Sequence, residues 1–201
     1  MRAVSPKGAA RRAEILRVAL SVFGTGRGNQ ASLREVARRC GTTPSGVLYY
    51  FGSLEELLVE ILRSRDFQKA SGPIAVEDFA IQGDLVQDRL AFEYQLQHNM
   101  KNPGLVSLFI AMSSHARTPG HPAGTFFSER YDRVRTNLAH YLQTRGAVPR
   151  QGLTHAVAAS IALAAMDGLQ LQWLADETLD MFTAIDGVFT ALYELPESTP
   201  A

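Results

Sequence analysis

Apolar residues recur along this chain at helical spacing, and no stretch shows the alternate-residue spacing of a half-buried strand. Ile15, Val18, Ala19, Val22 and Phe23 fall at i, i+3, i+4, i+7 and i+8, behind Ser5-Pro6, a cap and a first-position proline. Leu33, Val36 and Ala37 form a second, short stripe. Leu57, Leu58, Ile61 and Leu62 form a third, which runs to about Lys69 behind Ser53 and Glu56, the two ends of a capping box. Residues 71–83, with Gly72 and Pro73, read as a loop. Helices are predicted from Leu85 to about Lys101, Gly104 to about Ala116, Phe126 to about Thr144, Leu153 to Ala175 and about Glu177 to Glu194. Asn102-Pro103, the segment 118–122 and the segment 146–152 separate them, and Pro196 ends the last. The expected fold class is all-α, and Leu153 to Ala175 is the longest helix expected.

Two helix starts lie either side of one glycine stop between Ser32 and Phe51. Ser32 with Glu35 reads as a capping box that opens the first helix, and Gly41 supplies the left-handed residue that closes it. Thr43 then caps a second helix with Pro44 at its first position, where the missing N–H costs nothing. This is helix-turn-helix spacing, in which the second helix enters the major groove of duplex DNA. Thr42, Thr43, Pro44, Ser45, Tyr49 and Tyr50 line the start and flank of that helix, with short and aromatic hydroxyls for base edges, and Arg34 supports the phosphate backbone. The same spacing also serves an ordinary αα-hairpin inside a helical bundle.

Charge changes the balance between these readings. The 201 residues have no net charge, but residues 1–54 hold nine basic residues against Glu14 and Glu35, a net +7, so the remainder carries −7. A basic end on an acidic body suits a protein that meets a polyanion at one end only. Arg11, Arg12 and Arg17 on the first helix are candidates to flank a phosphate backbone. The glycine-rich segment 24–29 follows a helix, lacks phosphate-loop spacing, and reads as a turn. Cys40, the single cysteine, excludes an internal disulfide and is expected to be a small buried side chain. The apolar run Ala156 to Met166 is too short to span a bilayer and no secretory signal follows Met1, so a cytoplasmic protein without membrane attachment is expected.

From about Arg12 to Leu58 the chain resembles the N-terminal DNA-binding domain of TetR-family transcriptional regulators. Ala19 to Phe23 with Gly24, then Ser32 to Gly41, then Thr42 through Leu57 follow that family's pattern without a gap from Ser32 onward. The chain departs at Leu48, where the family usually has tyrosine, at Tyr50, where it has histidine, and at Leu54, where it has lysine. Leu54 offers no phosphate contact, and more of that load falls on Tyr49. The resemblance implies a DNA-binding domain over residues 1–52 and a helical ligand-binding and dimerisation domain over 53–201. It further implies a homodimer formed through the last two helices, a palindromic double-stranded DNA operator, and a small-molecule inducer bound in the body.

The residues of the body agree in kind. Tyr94, His98, Met112, His115, Phe127, Tyr131, Met166, Asp167, Gln170 and Trp173 place polar or polarisable groups where the pattern expects core, and apolar walls with a few polar groups make a small-molecule pocket. Each also serves as a satisfied core or interface residue. Ala158, Ala162 and Ala165 form a small row that permits close helix approach, and the helix holding them is apolar almost all round. His98, His115 and His121 lack metal-ligand spacing, and no nucleophile elbow or paired carboxylates appear; neither a metal, a cofactor nor catalysis is expected. The function this supports is a ligand-responsive transcriptional regulator, a repressor in its commonest form. The alternatives are a small-molecule-binding helical protein without DNA function, and an enzyme using the body pocket.

Overall fold

The computed structural model describes residues 5–25, 33–70 and 96–194, with side chains over 5–24, 33–64 and 96–194. The expectations for the Ser32 cap, the turn 26–29, the loop 71–83, the helix 85–95 with Tyr94, and the Pro196 stop lie outside the described residues. The helices are α1 (Pro6–Thr25), α2 (Leu33–Arg39), α3 (Pro44–Phe51), α4 (Leu54–Ala70), α5 (described over 96–101), α6 (Pro103–Ser113), α7 (Ala123–Thr144), α8 (His155–Ala175) and α9 (Met181–Leu192). The chain divides into two compact units, one of Met1–Asp66 with Lys101–Phe127 and one of Phe67–Met100 with Ser128–Ala201.

In the first unit α1 packs on α2, α3 and α6. The predicted stripe is its inner face: Ile15, Ala19, Val22 and Phe23 are buried. They share the unit with Val36, Ala37, Val47, Phe51, Leu57 and Ile61 from the next three helices and Leu105, Leu108, Phe109 and Met112 from α6, all buried. Gly24 packs closely here: a Cβ on it would lie 3.1 Å from Asn102 Oδ1 at the start of α6, so that side chain would have to give by a few tenths of an ångström. Cys40 is buried, as its position after α2 suggested, and burial pushes its thiol up from the usual range.

In the second unit α8 packs on α9. Ala158, Ala159 and Ala162 lie buried against Leu138, Leu142 and Tyr193, where their small side chains let neighbouring elements approach. A second cluster gathers Leu96, Trp173, Met181 and Ile185. Although no segment has a strand's period, Val148–Pro149 pairs antiparallel with Tyr193–Glu194 in a two-residue bridge. Arg150 Nε closes it by donating to the carbonyls of Thr190 (3.2 Å) and Tyr193 (3.1 Å) at the end of α9. The last helix begins at Met181, not near Glu177. Asp176 ends α8 and its carboxylate accepts from the amide and hydroxyl of Thr178, while Asp180 caps α9 by accepting from the amides of Phe182 and Thr183. Asp176 and Glu177 therefore lie in the turn, outside the first turn of α9. At 22 residues α7 is longer than α8, at 21. By length and composition alone α8 could cross a membrane, but it carries Asp167, Gln170 and Gln172 and packs against α9.

Candidate nucleic-acid interface

The turn between α2 and α3 forms by local chemistry alone. Gly41 takes φ +60°; its N–H donates to Arg38 C=O at 3.2 Å and that of Thr42 to Ala37 C=O at 2.9 Å, the paired bonds that close a helix on a left-handed residue. Two residues later the Thr43 hydroxyl accepts from the Gly46 amide at 3.1 Å, with Pro44 at the first helical position. Gly46 has a steric reason: a Cβ there would stand 2.4 Å from Thr42 Oγ1 and 3.3 Å from Thr43 Oγ1. The hydroxyls of Thr42 and Thr43 thus crowd the first turn of α3.

Inward, α3 buries Val47 and Phe51; outward, it exposes Thr43, Pro44, Ser45 and Tyr49. Tyr49 is 82% exposed, the most of any large apolar side chain described, and its ring meets the half-buried Tyr50 edge-on, 5.3 Å between centroids. Thr42 is half-buried and Arg34 exposed. The six candidate base-reading residues lie on one short helix and the turn before it, and Arg34 lies on the outer side of α2. A face of hydroxyls and one aromatic edge, on a helix anchored by two apolar residues, can dock a groove through hydrogen bonds and apolar contact.

The arginines nearby divide. Arg38 and Arg39 both reach Glu35, at 2.7 Å each, and with Arg38 the larger cause they hold its carboxyl at about 2. Arg11 donates to the Cys40 carbonyl and pairs with Glu14 at 2.7 Å; Arg12 pairs with Glu60 at 2.8 Å and lies over the Phe51 ring. With these partners Arg11 and Arg12 are half-buried and engaged within the protein, while Arg17 is exposed. Leu54, 37% exposed, begins α4, where Ser53 Oγ accepts from the Glu56 amide at 3.1 Å.

The candidate ligand residues are distributed over both units. Met112 and Phe127 are buried in the first, Phe127 edge-on to Phe109 at 4.9 Å, whereas His115 is exposed and stacks on His121 at 5.0 Å. His121 Nδ1 accepts from the Ala123 amide, and among the described residues no three metal-binding side chains gather. In the second unit the Tyr131 hydroxyl donates to Asp167 at 2.7 Å, and burial, then the Asp167 charge, drives the phenol well above its ordinary range. Gln170 accepts from Asn99 Nδ2 at 3.1 Å, one turn from Asp167. Met166 and His98 are half-buried. Trp173 is 5% exposed, and its indole N–H is buried with no hydrogen-bond partner among the described residues. Asn99 was missed in the sequence, where it is one polar residue among several; only its burial distinguishes it.

Residues 15–61 match the profile of the family described as bacterial regulatory proteins, tetR family. No curated protein matches the chain. Among solved structures, a putative transcriptional regulator from Saccharomonospora viridis in complex with choline is 18% identical, covering 92% of this chain and 99% of its own, with a TM-score of 0.69. A transcriptional regulator from Rhodococcus is 20% identical over 92% and 99%, with a TM-score of 0.67. SmeT, the repressor of the Stenotrophomonas maltophilia multidrug efflux pump SmeDEF, is 17% identical over 94% and 96%, with a TM-score of 0.63. At such identities these likenesses establish a shared fold, and it extends over 92–94% of this chain. Residues 15–61 thus match the tetR-family helix-turn-helix region, with the caps, glycines and exposed outer face of α3 all in place, and the chain as a whole shares the fold of these transcriptional regulators.

Proposed function

We propose that the chain is a ligand-responsive transcriptional repressor that binds a palindromic DNA operator as a homodimer, with residues 1–52 reading DNA and 53–201 binding ligand and partner. The observation that carries the reading is the outer face of α3, with Tyr49 82% exposed beside Ser45 and the Thr43 cap, inside a family-matched helix-turn-helix. Thr42, Thr43, Pro44, Ser45 and Tyr49 contact bases, Tyr50 lies behind them, and Arg34 meets the backbone.

Support for the homodimer comes from α8. Val157, Ile161 and Leu171 are 46%, 43% and 54% exposed, and with Ala164 they line one side of the helix along most of its length. On α9, Thr183, Asp186, Gly187, Thr190 and Ala191 make an exposed face of mostly small side chains. Such faces suit a four-helix bundle with a second copy, and two-fold symmetry then sets two recognition helices about 34 Å or a multiple apart. Support for ligand binding comes from the polar groups of the second unit, Tyr131, Asp167, Asn99, Gln170 and Trp173, and from the choline-bound Saccharomonospora structure of the same fold. The protein acts where the DNA is, in the cytoplasm, as a regulator and not an enzyme.

Selection of bound fragments from genomic DNA tests this directly. A two-fold symmetric site is expected, with affinity falling steeply as salt rises, because phosphate contacts release counterions. Recovery of no sequence, with saturable ligand binding intact, would favour the helical ligand-binding protein without DNA function.

A further inference from the structure

Arg11 and Arg12 stand side by side in the most basic part of the chain, where an arginine commonly serves a phosphate. Here each instead holds the C-terminal end of one motif helix. Arg11 donates to the carbonyl of Cys40, just past α2. Arg12 places its guanidinium 4.6 Å above the centroid of Phe51, the last residue of α3, and its Nη2 lies 2.8 Å from Glu60 Oε2, two turns into α4. Between Phe51 and α4 the chain turns at Gly52, φ +85°. A Cβ built there would meet nothing within 4 Å, so no side chain packs directly against the turn itself, although α3 and α4 on either side of it each bury apolar residues. Arg12 touches both sides of it from a third helix.

We propose that Arg12 is a positioning residue: a strap anchored on α1 that holds α3 and α4 on either side of the Gly52 hinge and so fixes the aim of the DNA-reading helix. The side chain suits the task. A planar guanidinium can lie flat on an aromatic ring and donate in its own plane at once, which a lysine ammonium cannot. Glu60 is the other half of the strap and also takes Arg63 at 3.3 Å, which keeps its carboxylate in place. The inference rests on the reading of α3 as the DNA-contacting helix.

The test uses Arg12→Met, Arg12→Lys, Glu60→Gln and the double variant Arg12→Met/Glu60→Gln. The probe is the duplex the wild-type protein recovers from a random-sequence pool, titrated between about 50 and 200 mM salt. A strap predicts that all three single variants bind about tenfold or more weakly with the salt slope unchanged, and that the double variant is no worse than Arg12→Met. A phosphate contact predicts a slope lower by about one in Arg12→Met and recovery in Arg12→Lys. It also predicts that Glu60→Gln, which removes a negative charge, binds as tightly as wild type or more so. Any of these three results overturns the proposal, as does strict additivity in the double variant. Should the wild-type protein recover no duplex at all, the DNA reading fails and the strap is judged separately by amide hydrogen exchange in the free protein. Residues 48–57 should then exchange faster in Arg12→Met than in wild type, and unchanged protection sinks the strap.

Discussion

Replacing Ile161 in α8 tests the proposed dimer most directly. Val157, Ile161 and Leu171 are 46%, 43% and 54% exposed, so about half of each side chain is still available for burial. Full burial of such a side chain contributes about 1.5–3 kcal/mol, so the remaining half contributes about 1 kcal/mol. Three residues on each of two copies sum to roughly 6 kcal/mol before the small residues between them are counted. Ile161→Ala forfeits about 2 kcal/mol per dimer, roughly thirtyfold in the dissociation constant. Ile161→Arg loses the same and adds the desolvation of a guanidinium in each copy, several kcal/mol apiece, which weakens the dimer on the order of 10⁴-fold or more. The monomer should tolerate either change, because position 161 is exposed within the chain and exposed substitutions usually shift stability by less than about 0.5 kcal/mol. Light scattering after gel filtration at micromolar protein should show wild type as a dimer, Ile161→Ala as a mixture on dilution, and Ile161→Arg as a monomer with unchanged helical circular dichroism. Operator affinity should fall with the dimer, since two half-sites would then be bound independently. An Ile161→Arg dimer as tight as wild type refutes the assignment of this face to the interface.

Tyr49→Ala should leave the melting temperature nearly unchanged, because the side chain is 82% exposed, while weakening operator binding by about 1–3 kcal/mol; equal affinity in both proteins would remove Tyr49 from the interface. Gly46→Ala sets helix propensity, about 1 kcal/mol in favour of alanine, against a Cβ 2.4 Å from Thr42 Oγ1. The single variant should therefore gain nothing in thermal unfolding and Thr42→Ala/Gly46→Ala should exceed Thr42→Ala; a stabilised single variant would show that Thr42 yields freely. In alkali, Tyr131 is held well above the ordinary phenol range by burial and by Asp167, and burial pushes Tyr193 up to about 12. The unfolded chain loses these protons first, so stability is present below about pH 10 and falls as pH rises toward 12. Tyr193→Phe should flatten part of that fall in urea titrations at pH 9 to 11.5, and a parallel curve would exclude Tyr193 as a source.

The elements that were legible in the sequence are those closed by local chemistry. Gly41, Thr43-Pro44 and Ser53 each act on amides within five residues, so α2, α3 and the start of α4 could be read without knowing what surrounds them. The start of α9 was misplaced because Asp176 and Glu177 carry the same first-turn signature as Asp180; what separates them is that Asp176 folds back on Thr178. The bridge between residues 148–149 and 193–194 was invisible, since two residues have no period and their partners are more than forty positions apart.

Charge shows the same division more sharply. A net +7 over residues 1–54 identified a basic end, but a count treats every arginine alike. Folding commits Arg38 and Arg39 to Glu35, Arg11 to Cys40 and Glu14, and Arg12 to Phe51 and Glu60, and it leaves Arg17 and Arg34 exposed. Sequence alone thus determined the helical pattern, the caps at Thr43 and Ser53, and which short helix carries a row of hydroxyls, because those follow from residue type and spacing over a few positions. Only the tertiary structure decided which cations face outward, which polar side chains of the body are buried together, and which apolar residues of α8 remain uncovered. Those outcomes depend on contacts between residues far apart in the chain, and a side chain's partner, unlike its propensity, is set by whatever folding brings beside it.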